Sequence, residues 1–184
     1  ASLNAIGAAQ SLAEMVGGGF DIAIAGQGLD GAVGELQGYG AETIYQIESE
    51  ALAGYTAQAY AQAFHQAVEA SEASFVLAAS TAKGKDCTPR VTARLEAGQA
   101  SDVSAIEDQG GTILYTRPMW AGNIIGKVKI NSDIQVATVR PTDFELATHG
   151  GGESAVERIS PAIEGVRMRY ISLDAVKSDR PALA

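Results

Sequence analysis

Residues 78–96 read AASTAKGKDCTPRVTARLE and join a short apolar strand to a helix. The strand is predicted over residues 75–79, and Gly84, a few residues further on, is interpreted as a break in the chain. The helix is predicted over residues 86–97, with Asp86 as its N-cap or first-turn acid, because the positive end of a helix dipole favours a carboxylate. A strand, a glycine corner and a helix in this order form the repeating unit of an α/β fold.

The residues on the amino-terminal side continue this alternation. A helix is predicted over residues 2–15, with Ser2 as its N-cap and apolar residues at three-residue steps. A longer helix is predicted over residues 51–70, and the glycine-rich segment 31–40 is at best weakly helical. Short strands are predicted at residues 21–25 and 44–47. Strands separated by helices indicate a parallel sheet with flanking helices.

The carboxyl-terminal half is predicted to be organised differently. Three strands follow one another without a helix between them, at residues 113–116, 124–130 and 134–139. Gly122-Asn123 between the first two is typical of a tight hairpin turn. The second half therefore adds a small antiparallel or mixed section. The remaining predictions are a flexible glycine loop at 148–153, a last strand at 166–172 and a polar linker at 177–181.

Charge is unevenly distributed along the chain. Residues 1–82 contain no Lys or Arg and nine Asp or Glu, whereas all 13 bases lie beyond residue 82 together with the other 13 of the 22 acids. Nucleic-acid binding needs clustered cations that displace counterions from phosphates, so the acidic first half excludes this class. We interpret the acidic face as a solvated surface; a surface for an electropositive partner is the alternative.

Length and cysteine content bound the class of protein further. The 184 residues suffice for one domain with a sizeable core. No apolar run approaches the roughly 18 residues of a membrane span, so membrane insertion is not expected. A single cysteine cannot form an internal disulfide, which favours a reducing compartment.

Two glycine motifs resemble phosphate-binding loops. Gly84-Lys85-Asp86 lacks the first glycine and the hydroxyl residue of a Walker loop, and its aspartate would repel phosphate. The segment 26–31 has the Gly-x-Gly-x-x-Gly spacing of a dinucleotide fingerprint, with Glu48 or Glu50 as the acid expected some 20 residues on. A chain with 21 glycines produces such matches easily by chance, so a plain strand-to-helix turn is the preferred interpretation.

Among the remaining reactive side chains we predict no catalytic and no metal-ligating residue. Cys87 lies in the predicted first turn of a helix, where a thiol pKa can fall, but a lone helical cysteine is more often a packing residue. His65 and His149 are far apart and have no partner at ligand spacing. No Gly-x-Ser-x-Gly nucleophile elbow is present.

Several segments, taken together, resemble one family. STAKGKDCTPRVTARLE (80–96), SDV (101–103), TRPMWAGNIIGKVK (116–129) and TVRPTDFE (138–145) occur in the order found in the electron-transfer flavoprotein alpha subunit. SLNAIGAAQSL is similar to that family's first helix, and IAIAGQG to its second strand. KSDRPALA (177–184) is similar to the hinge before its flavin domain. The motifs cover nearly the whole chain, and their order makes the resemblance specific.

This resemblance implies an architecture. The fold is expected to be α/β and nucleotide-binding-like (Rossmann-like), with a parallel sheet, flanking helices and a small antiparallel section in the second half. Residues 1–176 would form the N-terminal α/β domain of the alpha subunit, and residues 177–184 a hinge toward a C-terminal FAD-binding domain. The family's first strand would precede Ala1 and its flavin domain would follow Ala184. Lys83 departs from the pattern, since the family usually has an aromatic residue before the Gly-Lys pair.

The resemblance also implies a function. Members form a heterodimer with one FAD, take electrons from flavin dehydrogenases such as the acyl-CoA dehydrogenases of fatty acid beta-oxidation, and pass them to a quinone reductase. The protein would thus be an electron carrier rather than a catalyst of a substrate reaction. This domain would not hold the flavin but would dock the beta subunit, which holds an AMP. The compartment would be bacterial cytoplasm or mitochondrial matrix.

The docking interface is expected at the antiparallel section. Trp120 would be exposed there beside Arg117 and Asn123, because Trp and Arg are typical interface anchors; a core tryptophan is the alternative. The alternative function is a stand-alone adenine-nucleotide-binding regulatory module that uses the glycine turn at 26–28 and a helix N-terminus for phosphate. The absence of any Lys or Arg before Lys83 counts against that module.

Overall fold

The computed structural model describes residues 1–172 and 174. In that part of the chain the α-helices are α1 (Ser2–Val16), α2 (Asp30–Leu36), α3 (Ala57–Ser71) and α4 (Ala82–Arg94). The strands are β1 (Ile22–Gly26), β2 (Thr43–Glu48), β3 (Phe75–Ala79), β4 (Gly98–Val103), β5 (Ala105–Asp108), β6 (Ile113–Met119), β7 (Ile124–Lys129), β8 (Gln135–Val139) and β9 (Ala155–Ile159). Two 3-10 helices span Glu50–Leu52 and Pro141–Asp143. None of the described helices has the length and apolar character needed to cross a membrane.

The strands form three sheets of three strands each. Two sheets are parallel, with the orders β1-β2-β9 and β3-β8-β4, and the third, β5-β6-β7, is antiparallel. The nearly continuous burial of β2 and β8 is typical of parallel strands covered on both faces. The predicted fold class is therefore confirmed: a Rossmann-like α/β arrangement with flanking helices and a small antiparallel section in the second half.

Helix α1 packs against both parallel sheets. Ile6 lies in one apolar cluster with Ile22 of β1, whereas Ala8 and Leu12 lie in a second cluster with residues of β4 and β8. Within the described residues β1 pairs only with β2, and β3 pairs only with β8, so each has one edge without a strand partner. The expectation that a further strand precedes Ala1 stays a prediction.

Details of the amino-terminal half differ from the prediction. Ser2 is the first residue of α1 and not its N-cap; the N-cap position belongs to Ala1, which has no capping side chain. Residues 31–36 of the glycine-rich segment belong to the helix α2, and the rest of the segment is non-helical. The helix predicted over 51–70 is divided into a 3-10 turn, capped by the Ser49 hydroxyl, and α3. Gly54 lies between the two parts, and glycine weakens a helix in a way that apolar periodicity alone does not reveal.

Helix α4 begins before the predicted glycine corner, so that corner lies inside the helix. The N-cap is Thr81, whose Oγ1 accepts a hydrogen bond of 3.2 Å from the Gly84 N–H. Asp86 therefore lies in the second turn, and its predicted role as cap is wrong. Pro89 is also inside the helix, where it lacks the N–H that would bond the carbonyl four residues back.

The prediction of a strand at residues 166–172 is wrong. The residues there alternate between apolar residues and arginines, but they pair with no strand. The backbone lies along α3, where the Arg167 N–H donates to Gln58 Oε1 at 2.9 Å. Within the described residues the last strand is β9, a mostly exposed strand with few apolar residues that pairs with β2. The sequence also misses β4, because its residues are largely polar. The hinge and linker predicted within 177–184, and the domain boundary after residue 176, lie outside the described residues.

Candidate partner-docking surface

The antiparallel sheet ends in a hairpin made by β6 and β7. The pairs nearest its tip are Arg117–Gly126, Pro118–Ile125 and Met119–Ile124. At the base, Ile113 and Tyr115 are buried in the core cluster shared with β4 and β8, and the Tyr115 hydroxyl lies 3.0 Å from Gln135 Oε1. The base of the hairpin is therefore fixed to the body of the domain.

The turn of this hairpin has an unusual backbone. Trp120, Ala121 and Gly122 have φ angles of 52°, 53° and 85°, in the left-handed region that residues other than glycine rarely adopt. The Gly122 N–H donates to the Met119 carbonyl at 3.1 Å, and the Asn123 side-chain amide donates to the Trp120 carbonyl at 2.7 Å. The connection is thus longer than the predicted two-residue turn, and its hydrogen bonds fix the backbone that carries the tryptophan.

The tip of the hairpin is apolar and uncovered. Trp120 is 76% exposed, Ile125 65% and Ile124 52%. Successive residues of a strand point to opposite faces, so the exposure of both isoleucines means that neither face of the tip packs on the rest of the described chain. The alternative of a core tryptophan is excluded. An apolar group of this kind on a projecting element is typical of an interaction surface.

The three predicted interface residues all lie in this hairpin, with different roles. Trp120 is the exposed anchor, and Asn123 closes the turn. Arg117 is half-buried, and its Nε is buried without a hydrogen-bond partner in the described chain. Sequence reasoning missed Ile124 and Ile125, although two adjacent isoleucines in an otherwise alternating strand are a signal that could have found them. Contact of these residues with a partner stays a prediction.

The flank of the hairpin is basic. Arg117, Lys127 and Lys129 are its charged residues, and residues 113–130 contain no acid. Lys127 forms an ion pair with Glu107 of the neighbouring strand β5. An apolar tip with a cationic flank suits a partner that offers an apolar pocket bordered by carboxylates, because complementary charge steers and orients association.

An ionic network fixes the point at which β4 passes into the antiparallel sheet. Asp102, with a φ of 59°, accepts hydrogen bonds from Arg140 Nη2 at 2.6 Å and from Ser80 Oγ at 3.0 Å. The Arg140 guanidinium, and secondarily Ser80, hold the pKa of Asp102 below its usual range against the opposing effect of burial. Two residues on, the Ser104 N–H donates to the Thr116 carbonyl of β6 at 2.8 Å. The network therefore helps to set the orientation of the hairpin.

Replacement of Arg140 by Met is expected to lower the free energy of unfolding by about 1–2 kcal/mol at pH 7, since charge-assisted hydrogen bonds to Asp102 are lost. Because the folded pKa of Asp102 is depressed, its stabilisation is complete above the unfolded-state pKa and is lost as pH falls through the folded value. The difference between wild type and Arg140→Met should therefore shrink as the pH falls below about 5 toward the depressed folded pKa of Asp102. Urea unfolding at several pH values measures it.

Arg158→Met is the matched control for this prediction. It removes an ion pair with Asp30 in which both side chains are largely exposed, so the expected change is under about 0.5 kcal/mol. A loss in Arg140→Met that stayed the same at every pH would contradict the role assigned to the Asp102 carboxylate.

The glycine loop between β1 and α2 does not fit a phosphate group. Gly28 has a φ of 70°, and the Leu29 N–H that follows donates to Glu48 Oε1 at 2.7 Å. The loop N–H of Leu29 is therefore already bonded to a carboxylate, and Asp30, the first residue of α2, adds a second acid next to it in the chain. The other predicted acid, Glu50, lies in the following 3-10 helix. This arrangement disfavours a nucleotide-binding module built on the loop.

The start of α4 carries a cation–aromatic cluster. Lys83 Nζ lies 5.3 Å from the centre of the Tyr55 ring, whose hydroxyl lies 3.1 Å from Asp86 Oδ2. The lysine that stands in the family's aromatic position therefore lies over an aromatic ring from the loop before α3. Cys87 is buried in the second turn; burial first, and Asp86 second, raise its pKa to about 11, so it is not an activated thiol.

The two histidines lie in different environments. His65 Nδ1 is 3.2 Å from Glu69 on the same helix. His149 stacks edge-on against Tyr39, with ring centres 5.0 Å apart, and its Nε2 lies 3.1 Å from the Gln37 carbonyl. Across residues 1–172 and 174, no group of three or more His, Cys, Asp or Glu side chains is arranged to hold a metal ion.

Three relatives illustrate the similarity of the chain to known proteins. It is 31% identical, over 187 aligned positions, to the electron transfer flavoprotein subunit alpha of Pseudomonas aeruginosa, an alignment that covers 100% of this chain and 57% of the relative. The subunit alpha of Bacillus subtilis is 29% identical over 143 residues, or 77% of this chain and 44% of the relative. A probable mitochondrial subunit alpha of Cryptococcus neoformans is 32% identical over 143 residues, or 77% and 41%. The chain spans about half the length of these curated relatives.

The fold and the surface together define a Rossmann-like α/β domain whose most distinctive surface feature is an exposed hairpin rather than a pocket. The family model for the electron transfer flavoprotein domain matches residues 1–164. The chain belongs to the electron transfer flavoprotein family, as the N-terminal α/β domain of an alpha subunit.

Proposed function

We propose that this domain is the scaffold of an electron transfer flavoprotein and that the β6–β7 hairpin docks the beta subunit. The exposed apolar tip carries the proposal: Trp120, Ile124 and Ile125 project from a hairpin whose base is fixed in the core. A tryptophan that enters a partner's pocket contributes a large share of binding energy. Because hydrogen bonds already fix the turn, little conformational entropy is lost on binding.

Arg117 gives the proposed interface its polar specificity. Its Nε is buried and has no hydrogen-bond partner in the described chain, which is costly for a charged group. The terminal nitrogens of the same half-buried side chain would donate to a carbonyl or carboxylate oxygen of the beta subunit, and this contact would fix the orientation of the guanidinium around the buried Nε. The basic flank supports the same view, since it favours a partner surface with carboxylates.

The cofactor of the assembled protein is proposed to be FAD, with an AMP in the beta subunit. Family membership supports a flavin in general. The glycine loop of this chain meets the Glu48 carboxylate and does not fit a pyrophosphate, so we place the FAD outside residues 1–172. The flavin would supply one-electron chemistry, while this domain would hold the beta subunit in place.

The proposed electron donors are flavin dehydrogenases such as the acyl-CoA dehydrogenases of fatty acid beta-oxidation, and the proposed acceptor is a quinone reductase. The names of the relatives support the carrier role, since each is an electron transfer flavoprotein alpha subunit. Bacterial and mitochondrial relatives support either the bacterial cytoplasm or the mitochondrial matrix as its compartment.

The test is to mix the purified chain with the beta subunit of the same organism and to follow assembly by sedimentation velocity. We expect a complex with one copy of each chain, together with protection of the backbone amides of residues 119–125 from hydrogen exchange. The absence of a complex between two folded proteins would contradict the scaffold role. A complex in which the hairpin amides stay unprotected would contradict the hairpin as its site.

A further inference from the structure

Residues 160–172, here called the strap, form an extended segment that contains no helix or strand and lies along α3. The strap runs antiparallel to the helix. Ala162 lies beside Gln66, well along the helix, whereas Arg167 lies beside Gln58 in the first turn, where its N–H donates to Gln58 Oε1 at 2.9 Å. A segment outside any helix or sheet has no regular backbone partners. Its N–H and carbonyl groups therefore need hydrogen bonds from other parts of the protein.

Glutamine side chains supply those hydrogen bonds. Gln66 Oε1 accepts from the Ala162 N–H at 3.0 Å, and Gln66 Nε2 donates to the Ala162 carbonyl at 3.0 Å. Gln62 makes the same pair of bonds with Glu164, at 3.0 and 2.9 Å. Each side-chain amide thus pairs with one residue of the strap as a neighbouring strand would.

The spacing of the glutamines matches the spacing of an extended chain. Gln58, Gln62 and Gln66 are four residues apart, and four residues of an α-helix rise about 6.0 Å. Two residues of an extended chain span about 6.6 Å, and Gln66 and Gln62 accordingly meet residues two apart, Ala162 and Glu164. The step to Arg167, the partner of Gln58, is three residues and includes Gly165, whose φ of 62° interrupts the extended chain. Because these bonds involve only the backbone of the strap, they are independent of its sequence. In the apolar cluster at α3, the side chains from the strap are Ile163 and Val166.

The segment before the strap is held more firmly. β9 pairs with β2 through a regular parallel ladder. Immediately before β9, the Ser154 N–H donates to Gln37 Oε1 at 2.7 Å, and the N–H groups of Gly150 and Gly151 both donate to the Gly38 carbonyl at 2.9 Å. The strap therefore begins at a fixed point of the sheet.

We propose that the strap is a releasable tether, which detaches from α3 as a unit while β9 stays in the sheet. Release breaks the five hydrogen bonds from the three glutamines and exposes Ile163 and Val166, but it removes no strand or helix. In the docked state Tyr170 packs against Gly54, where a Cβ would overlap its ring. Release frees this contact and lets residue 172 reach up to about 40 Å from Ile159. The proposal is independent of the beta subunit.

Native-state hydrogen exchange of the full chain, read by NMR, tests this tether. In the wild type, the amides of Ala162, Glu164 and Arg167 should exchange with one common opening and at least about tenfold faster than those of β9. The double variant Gln62→Leu/Gln66→Leu should speed exchange of these three amides by about tenfold or more and leave the β9 amides unchanged.

Gln10→Leu is the matched control, because Gln10 binds the backbone of Thr148 in the same side-chain manner but outside the strap. It should speed exchange at Thr148 only. Gln62→Glu keeps the shape of the side chain and an acceptor oxygen for the Glu164 N–H, but removes the N–H donor to the Glu164 carbonyl. It should also release the strap, and it replaces the double variant if that variant folds poorly. Strap amides that exchange in step with β9 in the wild type, or variants that speed β9 and the strap equally, would overturn the proposal.

Discussion

Replacement of Trp120 by Ala is expected to weaken assembly with the beta subunit by about 30-fold or more, which corresponds to about 2 kcal/mol. The tryptophan is the most exposed large apolar side chain of the hairpin tip, and the turn holds its backbone in the left-handed region before any partner binds. Because the side chain is 76% exposed, its removal should change the stability of the free domain by less than about 0.5 kcal/mol. Sedimentation equilibrium measures the affinity, and circular dichroism checks the fold.

Two further variants make this result specific to the hairpin. Ile125→Asp places a carboxylate in the apolar tip and should weaken assembly further, because the charge would be buried without a partner. Leu146→Ala removes another exposed apolar side chain, remote in sequence from the hairpin, and should leave affinity unchanged. If Trp120→Ala assembled as tightly as the wild type while keeping its fold, the hairpin would not be the docking surface.

Replacement of Gly84 by Ala is expected to lower the free energy of unfolding by about 1–3 kcal/mol. Helix α4 starts so close to the end of β3 that a Cβ at this position would overlap the carbonyl oxygen of Ala79, a backbone atom that moves only with its strand. On helix propensity alone the same change should stabilise a helix by about 1 kcal/mol, so the sign of the effect decides between the two explanations. Urea unfolding gives the sign directly.

Gly34→Ala is the matched control in another helix. Gly34 lies in α2, has no heavy atom within 4 Å of an added Cβ, and should gain about 0.5–1 kcal/mol on substitution. If both alanine variants were stabilised, the close approach of α4 to β3 would be refuted. The glycine of the Gly-Lys pair would then need an explanation other than packing.

The sequence predicts the strands of the parallel sheets well where apolar residues are continuous. β3 has the predicted bounds, 75–79, because its five apolar residues stand between clear breaks. The start of α4 is predicted poorly because Gly84 looks like a break, whereas a threonine cap and a tight approach to β3 place it inside the helix. The strand at 166–172 is mispredicted because alternation reports an extended backbone, not the partner that binds it.

The docking surface could be predicted only in part. Residue type and family resemblance point to Trp120, but the exposure of Ile124 and Ile125 depends on how far the hairpin projects from the body, which periodicity does not encode. The contact between Glu48 and the glycine loop joins residues from two elements. The glutamines of α3 look like solvated side chains until the strap that they bind is placed beside them.

Isolation of the native protein with an antibody to this domain, followed by its intact masses and visible spectrum, shows whether these residues belong to a flavoprotein with two subunits. We expect a yellow complex that contains a polypeptide with these residues and a second subunit. A colourless species near 19 kDa that carries an adenine nucleotide would contradict this expectation.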